Sequence, residues 1–226
     1  IGDLNTSQPY MDALAALYAL AYTLKLAVSQ SINGTFGHGP SVLRPDGSGR
    51  RMNTGYGPVN AVGIVANMAI VMGRKCGVQD PEIDPAIERA AKFFGYFMDK
   101  GAIPYGEHAP WPYHENNGKN SITAVMFAAI GNKPKETEFF ARMATAGYPS
   151  REYGHTGQGF SYLWSALGAA VGGPETAAAF FRKSSWHLDL VRRSDGSRST
   201  VPRAARRTSS SKLIGATSGS TAWTSS

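Results

Sequence analysis

The stretch HAPWPYHENNGKNS, residues 108–121, holds two histidines, a glutamate, three asparagines, a tryptophan and a tyrosine. Side chains of these types can carry out elimination on a uronic sugar. In that reaction a carboxamide neutralises the substrate carboxylate. An imidazole or phenol then removes the α-proton and protonates the leaving oxygen. His114, Asn117 and Tyr113, with His155 from a later loop, have the required types and are the catalytic candidates. Tyr56, Tyr105 and Trp111 supply flat faces for sugar rings, and Asn60, Glu115 and Asn120 add polar ligand-binding groups. A simpler account competes. Asn116 or Asn117 with Gly118 can cap the helix that follows, and Pro110 and Pro112 stiffen its approach. That account carries slightly more weight, yet it leaves Trp111, Tyr113, His114 and Glu115 without a reason to cluster. The residues alone do not decide whether the chain is an enzyme.

A metal is the weaker option. His38, His108, His114, His155 and Glu115 offer ligands, but no pair has the i, i+4 helical spacing of a zinc motif. With Cys76 the sole cysteine, no multi-cysteine site and no internal disulfide can form. No metal and no cofactor is expected. Cys76-Gly77-Val78-Gln79 is similar to the Cys-Gly-Glu-Gln of thioester proteins. Valine replaces the glutamate, however, and the motif sits where a glycine would simply end a helix.

The elements that position these groups read as helices almost throughout, with no convincing strand. Tyr10, Leu14, Leu17, Tyr18, Ala21, Leu24 and Val28 share one helix face. Val59 to Arg74 is apolar on every side, the pattern of a helix surrounded by others. Asp80-Pro81-Glu82 opens an amphipathic helix with Ile83, Ile87, Ala90, Ala91, Phe94, Phe97 and Met98 inward and Glu82, Glu88, Arg89 and Lys92 toward water. Ile122 to Ile130 is a short buried helix and Pro134 to Ala146 an outer one. Phe160, Leu163, Trp164, Leu167 and Val171 form a third buried stripe. Outer segments follow at Pro174–Phe181 and Trp186–Arg193, with His187 facing water.

Apolar and amphipathic helices thus alternate three times. The buried ones share Gly-rich polar entrances, NTGYGPVN at 53–60, ENNGKN at 115–120 and EYGHTGQG at 152–159. Gly57, Gly118 and Gly157 are separated by two helices plus loops, which reads as a diverged hairpin repeat. The expected fold is all-α, an incomplete α/α toroid over residues 1–196 with its entrances gathered at one cavity mouth.

The run GYGPVNAVGIVANMAIV through GHTGQGFSYLWSALGAA resembles a bacterial family of unknown function with an α/α-toroid domain, over roughly Tyr10 to Ser197. The resemblance implies an exported setting and further domains in the parent chain. It implies no activity, because fold does not fix function. Among toroid chemistries, terpene cyclisation requires acidic clusters, and this chain has no two adjacent acids. Asp46-Gly47-Ser48 and Asp195-Gly196-Ser197 read as turns. Prenyl transfer needs a zinc set that one cysteine in this context does not supply.

Bulk properties exclude some partners. The net charge of +7 is concentrated in the Ser/Thr/Arg-rich tail, where Arg198, Arg203, Arg206, Arg207 and Lys212 meet no acid. The rest carries +2, so nucleic-acid binding is not expected. Residues 197–226 read as a disordered or non-native tail. No leader peptide is read at the start, and the apolar run at 61–72 falls short of the roughly 20 residues of a membrane span. The expected function is a polar, aromatic-lined cavity binding an extended ligand, a polysaccharide on which it acts as lyase or hydrolase. The alternative is a non-catalytic binding or scaffolding domain.

Overall fold

A computed structural model describes residues 4–49, 51–110, 118–151 and 157–197. The chain divides into two compact units, Ile1–Arg182 and Lys183–Ser226. The described residues are mostly helical. They form α1 (Leu4–Ser29), α2 (Asn60–Lys75), α3 (Ile83–Gly95), α4 (Lys119–Ile130), α5 (Pro134–Ala146), α6 (Gly157–Ala170) and α7 (Pro174–Leu190). One small hairpin escapes the sequence pattern. Val42–Leu43 (β1) pairs antiparallel with Arg51–Met52 (β2), Val42 opposite Met52. Two residues per strand are too few to show the period-two alternation that marks a strand.

Helices α2, α4 and α6 are neighbours in sequence of packing, α2 against α4 and α4 against α6. The amphipathic helices lie over the joints, α3 on α2 and α4, α5 on α4 and α6, while α1 packs on α2 and α3. The amphipathic helices bury the stripes that their periodicity predicts. Ile83, Ile87, Ala90 and Phe94 of α3 are buried, with Phe97 just beyond the helix. Phe127 of α4 stacks on Phe140 of α5 at 5.7 Å and an interplanar angle of 9°. The Asp46 and Asp195 motifs are turns, each carboxylate accepting from a serine two residues on. In the second unit, bonding to Ser197 holds the Asp195 carboxyl below its ordinary range.

The apolar helices depart from expectation, and for one physical reason. In α1 the predicted stripe is largely exposed, with Leu17, Tyr18 and Val28 out and Thr23 and Ala27 buried. A Cβ on Gly73 of α2 would stand 2.1 Å from Thr23 Oγ1, so α1 approaches α2 through a small-residue contact. Helix α2 is covered on three sides only. Val62, Val65, Ala69 and Met72, at i, i+3, i+7 and i+10, are exposed along the fourth. In α6 the buried line is Ser161, Ser165 and Ala169, whereas Leu163 and Leu167 are exposed. Small side chains let helix backbones close up, and the close approach turns the large ones outward. Met11–Ser29 of α1 is also long and apolar enough to cross a bilayer by length and composition, and only 11% of its apolar window is buried.

Two further expectations are corrected. Pro174 to Leu190 is one continuous helix, and His187 is 1% exposed, not solvated; its neighbour Trp186 takes the exposed position. Arg89, expected to face water, is half-buried and donates from Nε to Gln30 Oε1 at 2.7 Å.

Cys76-Gly77-Val78-Gln79 ends α2 as a cap. Gly77 has φ +92°, its N–H bonds Arg74 O at 3.0 Å, and the Val78 N–H bonds Gly73 O at 3.1 Å. That pair of bonds is the Schellman motif, which needs a left-handed residue at the glycine.

Ile64 and Ile70 are fully buried, whereas Val65 on the same helix is 43% exposed. Ile64→Ala or Ile70→Ala is expected to cost about 2–5 kcal/mol in urea unfolding, and Val65→Ala less than about 1 kcal/mol. Equal costs at the three positions would contradict this placement of α2.

Candidate functional site

The entrances to α2, α4 and α6 adjoin one another because buried backbone and carboxamide bonds draw them together. Asn60 opens α2, and its N–H donates to Tyr105 O at 2.8 Å. Its Nδ2 donates to Pro104 O at 2.9 Å and Gly106 O at 3.2 Å. Asn120, in the first turn of α4, accepts the Ile103 N–H on Oδ1 at 3.2 Å. Segment 103–106 is therefore laced to the starts of two helices at once. Both carboxamides are fully buried. Asn60 Oδ1 and Asn120 Nδ2 have no hydrogen-bond partner among the described residues.

Gly118 joins the third entrance. It is the N-cap of α4 at φ +92°, with no side-chain cap. A Cβ there would meet Phe160 C and O at 2.6 Å and Ser161 N at 2.9 Å, so glycine alone lets α4 begin against the first turns of α6. Further along, Gly168 of α6 meets Ser121 of α4. The contacts advance in the same sense along both helices, so α4 and α6 run parallel.

Above segment 103–106 an aromatic group is exposed. Tyr56 meets Tyr105 edge to face at 5.9 Å and 71°. It meets the His38 ring at 6.0 Å and 61°. Gly106 is buried beneath them, with Tyr56 Cε1 and His108 Nε2 3.2 and 3.8 Å from where its Cβ would stand. Glu107 Oε2 lies against Gly57, 3.2 Å from the corresponding point. Tyr56 is 58% exposed, Tyr105 is half-buried, and His38, Glu107 and His108 are exposed. The cluster thus offers two phenol rings, two imidazoles and a carboxylate to solvent beside a helix N-terminus.

Of the residues singled out from sequence, Tyr56 and Tyr105 are brought together. Asn60 and Asn120 face inward as clamps, and their fully buried side chains offer no surface for ligand contact. Trp111, Tyr113, His114, Glu115 and Asn117 lie outside the described residues, as does His155. Glu107 was missed by sequence reasoning; its only signal is its place in YGEH, two residues from Tyr105. The sequence offers His38 and His108 only as metal ligands. Among the described residues no group of three or more His, Cys, Asp or Glu could hold a metal ion.

A family described as a domain of unknown function (DUF6288) matches residues 12–224. The chain belongs to this family. The DUF6288 match takes in α1 from residue 12 onward and α2 to α7 whole, and it runs on into the Ser/Thr/Arg-rich tail. No curated protein and no solved structure matches the chain.

Asn60→Ala strips two buried carbonyls of their donor and is expected to destabilise the domain by about 1–3 kcal/mol in chemical denaturation. Gly118→Ala forces a side chain into the α6 backbone at a left-handed position, at a cost of at least about 1–3 kcal/mol. A wild-type midpoint for either variant would show that the entrances are not joined in this way.

Proposed function

We propose that this DUF6288 domain is a segment of an α/α toroid that binds an extended saccharide across its helix entrances. The observation that carries the reading is the exposed Tyr56 ring, held edge-on to Tyr105 and His38 beside the Glu107 carboxylate. Ring faces of this kind accept the C–H surface of a sugar, and a carboxylate accepts its hydroxyl protons. The parallel inner helices α4 and α6, with outer helices over each joint, support the toroid class. In that class inner helices start at one end, where free N–H groups favour an acidic sugar.

His114, Asn117, Tyr113 and His155 belong in sequence to the same entrances, with Trp111 and Glu115 beside them. In this proposal Asn117 neutralises a uronate carboxylate and His114, Tyr113 or His155 moves the proton, making the protein a lyase. Its setting is an exported parent chain with further domains. A second reading is favoured by the exposed apolar stripes of α2 and α6: a scaffolding domain that packs these faces on neighbouring domains.

The test is a polysaccharide panel of uronic and neutral chains, followed by binding and by release of unsaturated uronate. Tyr56→Ala is expected to weaken saccharide binding about tenfold or more. His114→Ala is expected to abolish product release without loss of binding. Absence of binding to the whole panel leaves the scaffolding reading in its place.

A further inference from the structure

A second site lies away from the tyrosine cluster, in a cavity of about 320 Å³ lined by the end of α1, the β2 strand and the start of α3. Two guanidinium groups, Arg51 and Arg89, line it, both half-buried. Each is held by a neutral acceptor. Arg89 Nε donates to Gln30 Oε1 at 2.7 Å, and Arg51 Nη1 donates to Ser41 O at 3.0 Å. Neither forms an ion pair among the described residues. The terminal nitrogens of Arg89 are left without a protein acceptor there, as are the other nitrogens of Arg51.

The remaining polar groups of the wall are already engaged. Gln30 Nε2 donates to Asn67 Oδ1 and Ala86 O at 2.8 and 2.9 Å. Ser31 Oγ donates to Thr35 O at 2.9 Å. The Glu82 N–H is taken by Asp80. Glu82 also lines the cavity and pairs with neither arginine, so among the described residues the lining carries two positive charges and one negative. Ala27, Val28 and Ile32 supply an apolar wall, the last two 39% and 41% exposed.

We propose that this cavity is a binding site for a small monocarboxylate with a short apolar body. The guanidinium fork matches the two carboxylate oxygens, and holding each arginine by a neutral acceptor fixes that fork in advance. The aliphatic wall takes the body of the ligand. Glu82 limits the site to one negative charge, so a carboxylate is preferred over a more highly charged phosphate. The inference rests on residues outside the tyrosine cluster and stands apart from the saccharide reading.

The test titrates the full chain with sodium butyrate and, separately, with inorganic phosphate, at constant ionic strength, following the melting temperature and calorimetric heat. Butyrate is expected to bind saturably and to raise the melting temperature, as a native-state ligand must. Arg51→Gln and Arg89→Lys should each weaken it about tenfold, the second by losing the bidentate fork while keeping the charge. Glu82→Gln should strengthen phosphate binding by a similar factor. The melting temperature of each unliganded variant separates loss of binding from loss of fold, since Arg89 also braces Gln30. Three results would overturn the proposal: no saturable butyrate binding, unchanged affinity in Arg51→Gln, or phosphate bound more tightly than butyrate by the unmodified chain.

Discussion

Two buried carboxamides hold the entrance end of this domain together. Asn60 and Asn120 grip segment 103–106 from either side, one by donating to carbonyls and the other by accepting an N–H. A buried backbone group without a partner costs about 1–3 kcal/mol, so this segment can cross the core only where such partners wait for it. Once fixed, it carries Tyr105 outward beneath Tyr56 and places Glu107 and His108 beside them. The chemistry offered to solvent is thus a consequence of bonds made out of its sight.

The same economy of contact governs the helices. Thr23 against Gly73, and Ser121 against Gly168, bring backbones closer than leucine or valine would allow. Large apolar side chains on α2 and α6 are thereby displaced to an open side. The folded core instead draws on Phe94, Phe127, Phe140, Ile64 and Ile122, all fully buried where the amphipathic helices cover the joints. Polar networks stiffen the other edge of α2, where Asn67 donates to Gly34 O while Gln30 bridges to Asn67 and Arg89.

The sequence reveals the helices better than it reveals their faces. Period and punctuation locate Ile83–Gly95 and Pro134–Ala146, where the apolar stripe is bordered by charge, and glycines on either side mark off the short apolar Lys119–Ile130. In α1, α2 and α6 apolar residues occupy more than one face, so period does not say which side is buried, and glycine, serine and threonine decide it by fit. The candidate site is legible in part for the same reason. Tyr56 and Tyr105 stand out as aromatics at entrances, but the inward turn of Asn60 and Asn120 depends on carbonyls more than forty residues away in one case and an N–H seventeen residues away in the other. Glu107 enters through a close approach to Gly57, which no local spacing encodes.

The central claim is that Asn60 and Asn120 act on one shared segment. A double-mutant cycle of Asn60→Ala and Asn120→Ala, read by urea unfolding, tests it most directly. Residues gripping the same element couple by about 0.5–3 kcal/mol, the double variant losing less than the sum of the single losses because the first change already frees segment 103–106. Losses that add within about 0.3–0.5 kcal/mol would show two independent sites, and the joined entrance end would then be contradicted.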